Sequence, residues 1–288
     1  MKLPVGITCN IGQNPATLSR LRAFGYEYID YQDFIGTVCN PLYTMEEPEL
    51  LREMARQRQL IEQAGLHVYQ VHGPWQYPPT NTTAEQQADW ADKVARSIRG
   101  AHALGCRYLV MHPIMPYFGT QEPEPGAHLR QNIAFFSRLI PVAAQNDVEI
   151  CIENMPFADQ STSAPVGTLE LIKALQSPYC RMCLDTGHCA VLGISPADAV
   201  REIGREYLRV LHVHDNDGHG DCHWIPYTGV INWSDFSRAL EEIGFSGVLS
   251  LETGIRASQH TPPHIREQME HTLAEIARTI AEHPAGNP

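Results

Sequence analysis

The chain has 288 residues and a formal net charge of −12, from 33 acidic and 21 basic side chains. That balance argues against broad electrostatic binding to nucleic acid or to an anionic membrane, while 43% apolar residues are enough for a full core. No run of about 18 apolar residues reads as a membrane span, and Met1 to Cys9 is too short and polar for a signal peptide. The eight cysteines are scattered and read as reduced thiols, so a cytoplasmic protein is expected.

Short apolar runs alternate with helical patterns along the chain. Strands are predicted over residues 4–9, 26–31, 66–72, 107–112, 148–153, 179–185, 207–212 and 247–252. Helices are predicted over 15–24, 48–64, 83–104, 126–145, 167–176, from 196 onward, 233–243 and 263–282. Local signals mark several ends: Gly65 and Gly105 stop helices, Thr83 and Gln86 have capping-box spacing, and Ser195-Pro196 is a hydroxyl cap followed by proline at the first helical position. Eight strand–helix units predict an α/β protein of the (β/α)8 TIM-barrel class, one domain over 1–288, with the barrel complete by 283 and a frayed tail at 284–288. An open doubly wound sheet would carry a glycine-rich phosphate turn after an early strand, and Gly6, Gly12 and Gly25 lack its spacing.

In such a barrel the chemistry sits at the C-terminal strand ends. Strand three ends in His72, four in His112, five in Glu153, six in Asp185 with His188 just beyond, seven in His212 with Asp221 and His223 in its loop, and eight in Glu252. Each alone has a bland reading: a lone histidine is more often a packed side chain, and Asp185 could cap the next helix. Their recurrence on six consecutive strands points to one metal-binding mouth. Carboxylate oxygens mixed with imidazoles suit Mn²⁺, Mg²⁺, Co²⁺ or Zn²⁺, the carboxylates favouring the harder ions and additional histidines favouring zinc. His214 and His219 are read as loop residues, and Cys180 and Cys183 as packing residues on opposite strand faces. Trp75 is either a stacking wall for a sugar or a cover over the barrel mouth.

The motifs Val71-His72-Gly73-Pro74, Met111-His112-Pro113, Ile152-Glu153-Asn154, Leu184-Asp185-Thr186-Gly187-His188, Leu211-His212-Val213-His214-Asp215-Asn216, Asp221-x-His223 followed by Gly229, and Ser250-Leu251-Glu252-Thr253 resemble the xylose-isomerase-like barrel superfamily, in its sugar (phosphate) isomerase and epimerase branch. The resemblance implies one divalent metal, Mn²⁺ before Mg²⁺, Co²⁺ or Zn²⁺, held by Glu153, Asp185, His212 and Glu252. It makes Glu153 and Glu252 the acid/base pair of an enediolate mechanism on an open-chain sugar or sugar phosphate, and leaves His72, His112, His188, Asp221 and His223 for substrate or a second metal. No Arg or Lys stands in Asp215-Asn216-Asp217-Gly218, where ketose epimerases often carry a substrate-gripping base. A more distant resemblance, to the apurinic-site endonuclease branch, implies additional Zn²⁺ on His72, His112, Glu153, Asp185, His188, His212, Asp221, His223 and Glu252. Against it, Pro113-Ile114-Met115-Pro116 replaces that branch's Pro-Gly-Ser and the loops lack basic composition. A sugar or inosose dehydratase and a non-catalytic sugar-binding barrel are the remaining alternatives. The partner expected is a small sugar, not nucleic acid or membrane, and barrels of this kind often form homo-oligomers.

Overall fold

A computed structural model describes residues 2–11, 16–79, 83–255 and 257–282. The predicted helix start at Pro15 and the 284–288 tail lie outside them. Eight strands, β1 (Val5–Cys9), β2 (Tyr28–Tyr31), β3 (His67–His72), β4 (Tyr108–Met111), β5 (Glu149–Glu153), β6 (Cys180–Asp185), β7 (Leu208–His212) and β8 (Leu249–Leu251), form one parallel sheet in the order β7-β6-β5-β4-β3-β2-β1-β8. The ring closes between β7 and β8. There the Val213 amide donates to Ser250 O (2.9 Å) and the Glu252 amide to Val213 O (3.1 Å).

The outer ring comprises α1 (Ala16–Ala23), α2 (Glu47–Gln63), α3 (Ala84–Ala103), α4 (Ala127–Gln145), α5 (Pro165–Leu175), α6 (Thr186–Val191), α7 (Pro196–Tyr207), α8 (Trp233–Glu242) and α9 (Pro263–Ala281). The capping box on α3 is formed: Gln86 N donates to Thr83 Oγ1 (3.2 Å) and Thr83 N to Gln86 Oε1 (3.1 Å). Gly65 and Gly105 take φ of +78° and +75° after α2 and α3, a conformation that a side chain strains. α5 starts two residues before its predicted Gly167, because Pro165 pre-sets its first turn. α6 has no counterpart in the predicted elements. Its six residues are too few to show a period, and it is held by Asp185 at its N-cap.

Strand alternation sorts the side chains. Val110, Cys151, Cys183 and Val210 face one another inside the barrel as a small apolar layer, while Ile150, Ile152, Met182 and Leu184 join the larger core beneath the helices. Cys183 lies in the first cluster and Cys180 in the second, so their three-residue spacing is packing on two faces. Two residues on from that layer, the same alternation delivers His112, Glu153, Asp185 and His212 to the C-terminal mouth. The layer is therefore the floor of the site.

Candidate metal and substrate site

Glu153 is the hub. It is buried, and its Oε1 lies 3.0 Å from His212 Nδ1 and 3.6 Å from His188 Nδ1. Its Oε2 faces His112 Nε2 at 3.1 Å and His72 Nε2 at 3.8 Å. Glu252 approaches the same His212 Nδ1 with its Oε2 at 3.2 Å. Asp185 divides its carboxylate: Oδ1 accepts the His188 amide at 2.6 Å as the cap of α6, and Oδ2 meets His214 Nε2 at 2.9 Å. Asp185 thus caps α6 with one oxygen and faces His214 with the other.

The strand-seven loop completes the cluster. Asp221 Oδ2 lies 3.4 Å from His188 Nε2 and 3.3 Å from His223 Nε2, and its Oδ1 is 3.7 Å from His214 Nε2. His223 holds φ +46° and is anchored through its Nδ1, 2.7 Å from Glu252 O. Every strand-end residue named from the sequence thus reaches one place, and Trp75 joins them with its ring 4.3 Å from that of His112.

His214 lies beyond the end of β7, as expected of a loop residue, but it belongs to the donor cluster. It is fully buried, its amide is held by Thr186 Oγ1 (3.0 Å), and its ring stacks on His223 at 4.0 Å. The backbone stays extended past His212 because Val213 pairs with β8, so the period of two carries His214 to the same side. His219 is exposed, as a loop residue should be, yet lines the mouth. The ring of His212 is held at Nε2, 2.9 Å from Asp30 Oδ2, and turns Nδ1 toward the two glutamates. Asp30 was missed. It is a fully buried carboxylate on β2, steadied by Gln70 Nε2 (3.1 Å) and Gln32 Nε2 (3.3 Å), and its signal was the charge between Ile29 and Tyr31, obscured by Glu27 in the same predicted strand.

The charges shape one another. Against burial, which raises it, the His212 and His112 rings hold Glu153 well below the ordinary carboxylate range. Burial, reinforced by Glu153, lifts Glu252 to about 8 although His212 opposes it. Burial and the neighbouring His112 push His72 down to about 4. Burial would lower His188 and His223 too, but Asp185 and Asp221 hold the first up at about 10, and Asp221 and Glu252 hold the second at about 9.

The donor set is compatible with a divalent cation. Ligand atoms of Glu153, Asp185, His212 and Glu252 lie within 4.8 Å of one another, as do those of Asp185, His188 and His214, of His214, Asp221 and His223, and of His72, Glu153 and His212. Glu153 Oε2 and His112 Nδ1 are buried without a hydrogen bond, so the 3.1 Å approach of Oε2 to His112 Nε2 is a convergence of donors out of line for a bond. Because ligands must be deprotonated to bind metal, loading an ion at pH 7 is expected to release a proton from Glu252, held up at about 8, and apparent affinity should rise toward pH 9. Calorimetry in two buffers of different ionisation enthalpy checks this, and equal heats in both would contradict it.

Backbone proximity guards the cluster. A β-carbon on Gly187 would sit 2.0 Å from His214 Cε1. Gly187→Ala is therefore expected to push His214 off Asp185 and to weaken metal binding about 10- to 100-fold, the usual cost of disturbing a ligand's support. Metal titration beside a circular dichroism spectrum checks it.

The cluster forms the inner end of a cavity of about 740 Å³ that opens at the C-terminal face. Among the described residues, no helix is long and apolar enough to cross a membrane.

Known proteins resemble the chain in sequence or in fold. An uncharacterized protein of Methanocaldococcus jannaschii is 28% identical over 214 residues, covering 72% of each chain. Among solved structures, a D-psicose 3-epimerase superposes with a TM-score of 0.74 at 14% identity, over 98% of this chain and 99% of that one. A D-tagatose 3-epimerase-like protein does so with 0.72 at 21% identity, over 99% and 100%. Residues 18–275 match the xylose isomerase-like TIM barrel family, and the chain belongs to that family.

Proposed function

We propose that the chain is a metal-dependent sugar isomerase or epimerase that moves a proton at the carbon beside a carbonyl of an open-chain sugar or sugar phosphate. The observation that carries this reading is the pairing of Glu153 and Glu252 on one ring nitrogen of His212, both facing the same cavity. Two carboxylates so placed can flank a substrate carbon, one removing a proton and the other returning it. Returned to the opposite face of that carbon, the proton epimerises; delivered to the neighbouring carbon, it isomerises. Asp30 and His212 keep the two glutamates aimed inward. The fold shared with sugar epimerases supports the reading.

Glu153, Asp185, His212 and Glu252, whose ligand atoms lie within 4.8 Å of one another, would hold the ion, Mn²⁺ first, with His214 beside Asp185. A divalent cation there would supply Lewis-acid stabilisation of negative charge developing on the substrate oxygens. His72, His112 and His188 line the cavity beside the glutamates and offer hydrogen bonds to sugar hydroxyls. The test is uptake of solvent deuterium into the sugar.

One observation favours a second reading. Asp221 and His223 turn inward, and with His214 they form a further donor group beside the first. A multinuclear zinc phosphodiesterase would use such a site. Two or three zinc ions per chain together with cleavage of an abasic-site duplex would establish it; one Mn²⁺ or Mg²⁺ and an intact duplex would dismiss it.

A further inference from the structure

Two kinds of side chain line the cavity. The inner end is lined by His72, His112, Glu153, His188, Asp221 and Glu252; the outer by Ile35, Trp75, Tyr77, Met155, Pro156 and Phe157. The outer wall is an aromatic shelf. Tyr77 packs edge-on against Phe118 (5.6 Å between ring centroids), and Phe118 against Phe157 (5.3 Å). Tyr77 is 69% exposed, so its ring is presented to the mouth rather than used to fill the core.

Gln32 and Ile35 also line a neighbouring second cavity of about 520 Å³, whose lining includes Asn10, Asp33, Asn40 and Gln57. An aromatic face beside amide and carboxylate groups suits a pyranose ring, which stacks its C–H face and hydrogen-bonds its hydroxyls. Neither the shelf nor the second cavity has a role in moving a proton at the inner end.

We infer that the physiological substrate is a two-ring sugar: a ketose whose carbonyl end reaches the glutamates and whose far end carries a second pyranose on the Tyr77–Phe157 shelf. This deepens the isomerase reading and rests on it for the reactive end only. The shelf is continuous with the cavity that holds the catalytic cluster, which favours a substrate's distal ring over a protein partner.

The experiment compares D-fructose with maltulose, isomaltulose and lactulose, ketoses bearing a second pyranose, using the full chain supplied with Mn²⁺. Calorimetric binding and deuterium exchange from D₂O are both measured. At least one disaccharide is expected to bind about tenfold tighter than D-fructose, the equivalent of one good ring contact, and Tyr77→Ala and Phe157→Ala should each erase most of that ratio. The inference is overturned if D-fructose binds as well as all three disaccharides, or if the variants weaken both sugar classes equally. A change in sedimentation of Tyr77→Ala with the ratio intact would also overturn it and assign the shelf to self-association. Preferential disaccharide binding without exchange into any sugar would uphold the shelf and reject the isomerase reading.

Discussion

Glu252→Gln is expected to lower the rate of proton exchange into substrate by about 10³-fold or more, within the range that removal of a general acid or base produces, while melting temperature changes little. The substitution keeps size and hydrogen-bonding capacity and removes the ability to trade a proton. Glu252 suits the test because its side chain is 13% exposed and opens onto the cavity, so the neutral amide can be solvated. Glu153→Gln should be as damaging to turnover but less clean. Glu153 is buried under four imidazoles, and the His212 ring, whose pKa neighbours including Glu153 hold well above its ordinary value against burial, would lose a carboxylate partner. Some stability is expected to go with it. Exchange measured by NMR and unfolding followed by circular dichroism separate the two effects. Full exchange in Glu252→Gln would remove the glutamate pair from the mechanism.

The second large effect falls on a residue that belongs to none of the candidate metal groups. Asp215 is fully buried and accepts four N–H donors: Asn216 N at 3.0 Å, Gly229 N at 3.0 Å, Ile231 N at 3.2 Å and Trp233 Nε1 at 3.0 Å. Its backbone also pairs with Trp224 in both directions at 2.8 Å. One carboxylate thus pins both feet of the loop carrying Asp221 and His223. Asp215→Ala leaves those donors buried without an acceptor, and a loss of about 3–5 kcal/mol is expected, a fall in melting temperature on the order of 10 °C. Asp215→Asn keeps one acceptor oxygen and should lose about half as much. In both, the donor group of His214, Asp221 and His223 should lose metal before the Glu153 group does. Thermal melts with and without metal show this, and an unchanged melt in Asp215→Ala would mean that the loop is held by other contacts. Gly229 belongs to the same knot: a β-carbon there would lie 2.1 Å from Asn216 O and 2.3 Å from Asp215 Oδ1.

The barrel and most of its mouth were legible because both rest on short periods. Alternation along eight apolar runs marks the strands, and each strand's last residue is fixed by where the run stops. His72, His112, Glu153 and Asp185 follow from that rule with no knowledge of neighbouring strands. The misses share a different cause, since each depends on a contact distant in sequence. His214 enters the site only because Val213 bridges to Leu251 on β8 and extends the alternation one step. Asp30 matters only because the ring of His212, from the other side of the barrel, points at it. Asp215 reads as one more acid in a polar loop until Gly229, Ile231 and Trp233 fold back onto it. α6 was hidden for a local reason, because a six-residue helix is shorter than two turns and shows no apolar stripe.

Solvent exchange is the most direct measure of the proposed chemistry. The chain, loaded with Mn²⁺, is incubated in D₂O with a panel of ketoses, ketose phosphates and inosose-like compounds, and the sugars are read by NMR and mass spectrometry. Deuterium at the carbon adjacent to the carbonyl of at least one sugar, at a rate that Glu252→Gln abolishes, is the expected result. Tight sugar binding with no deuterium in any compound would contradict it, and so would exchange that survives loss of the Glu252 carboxylate.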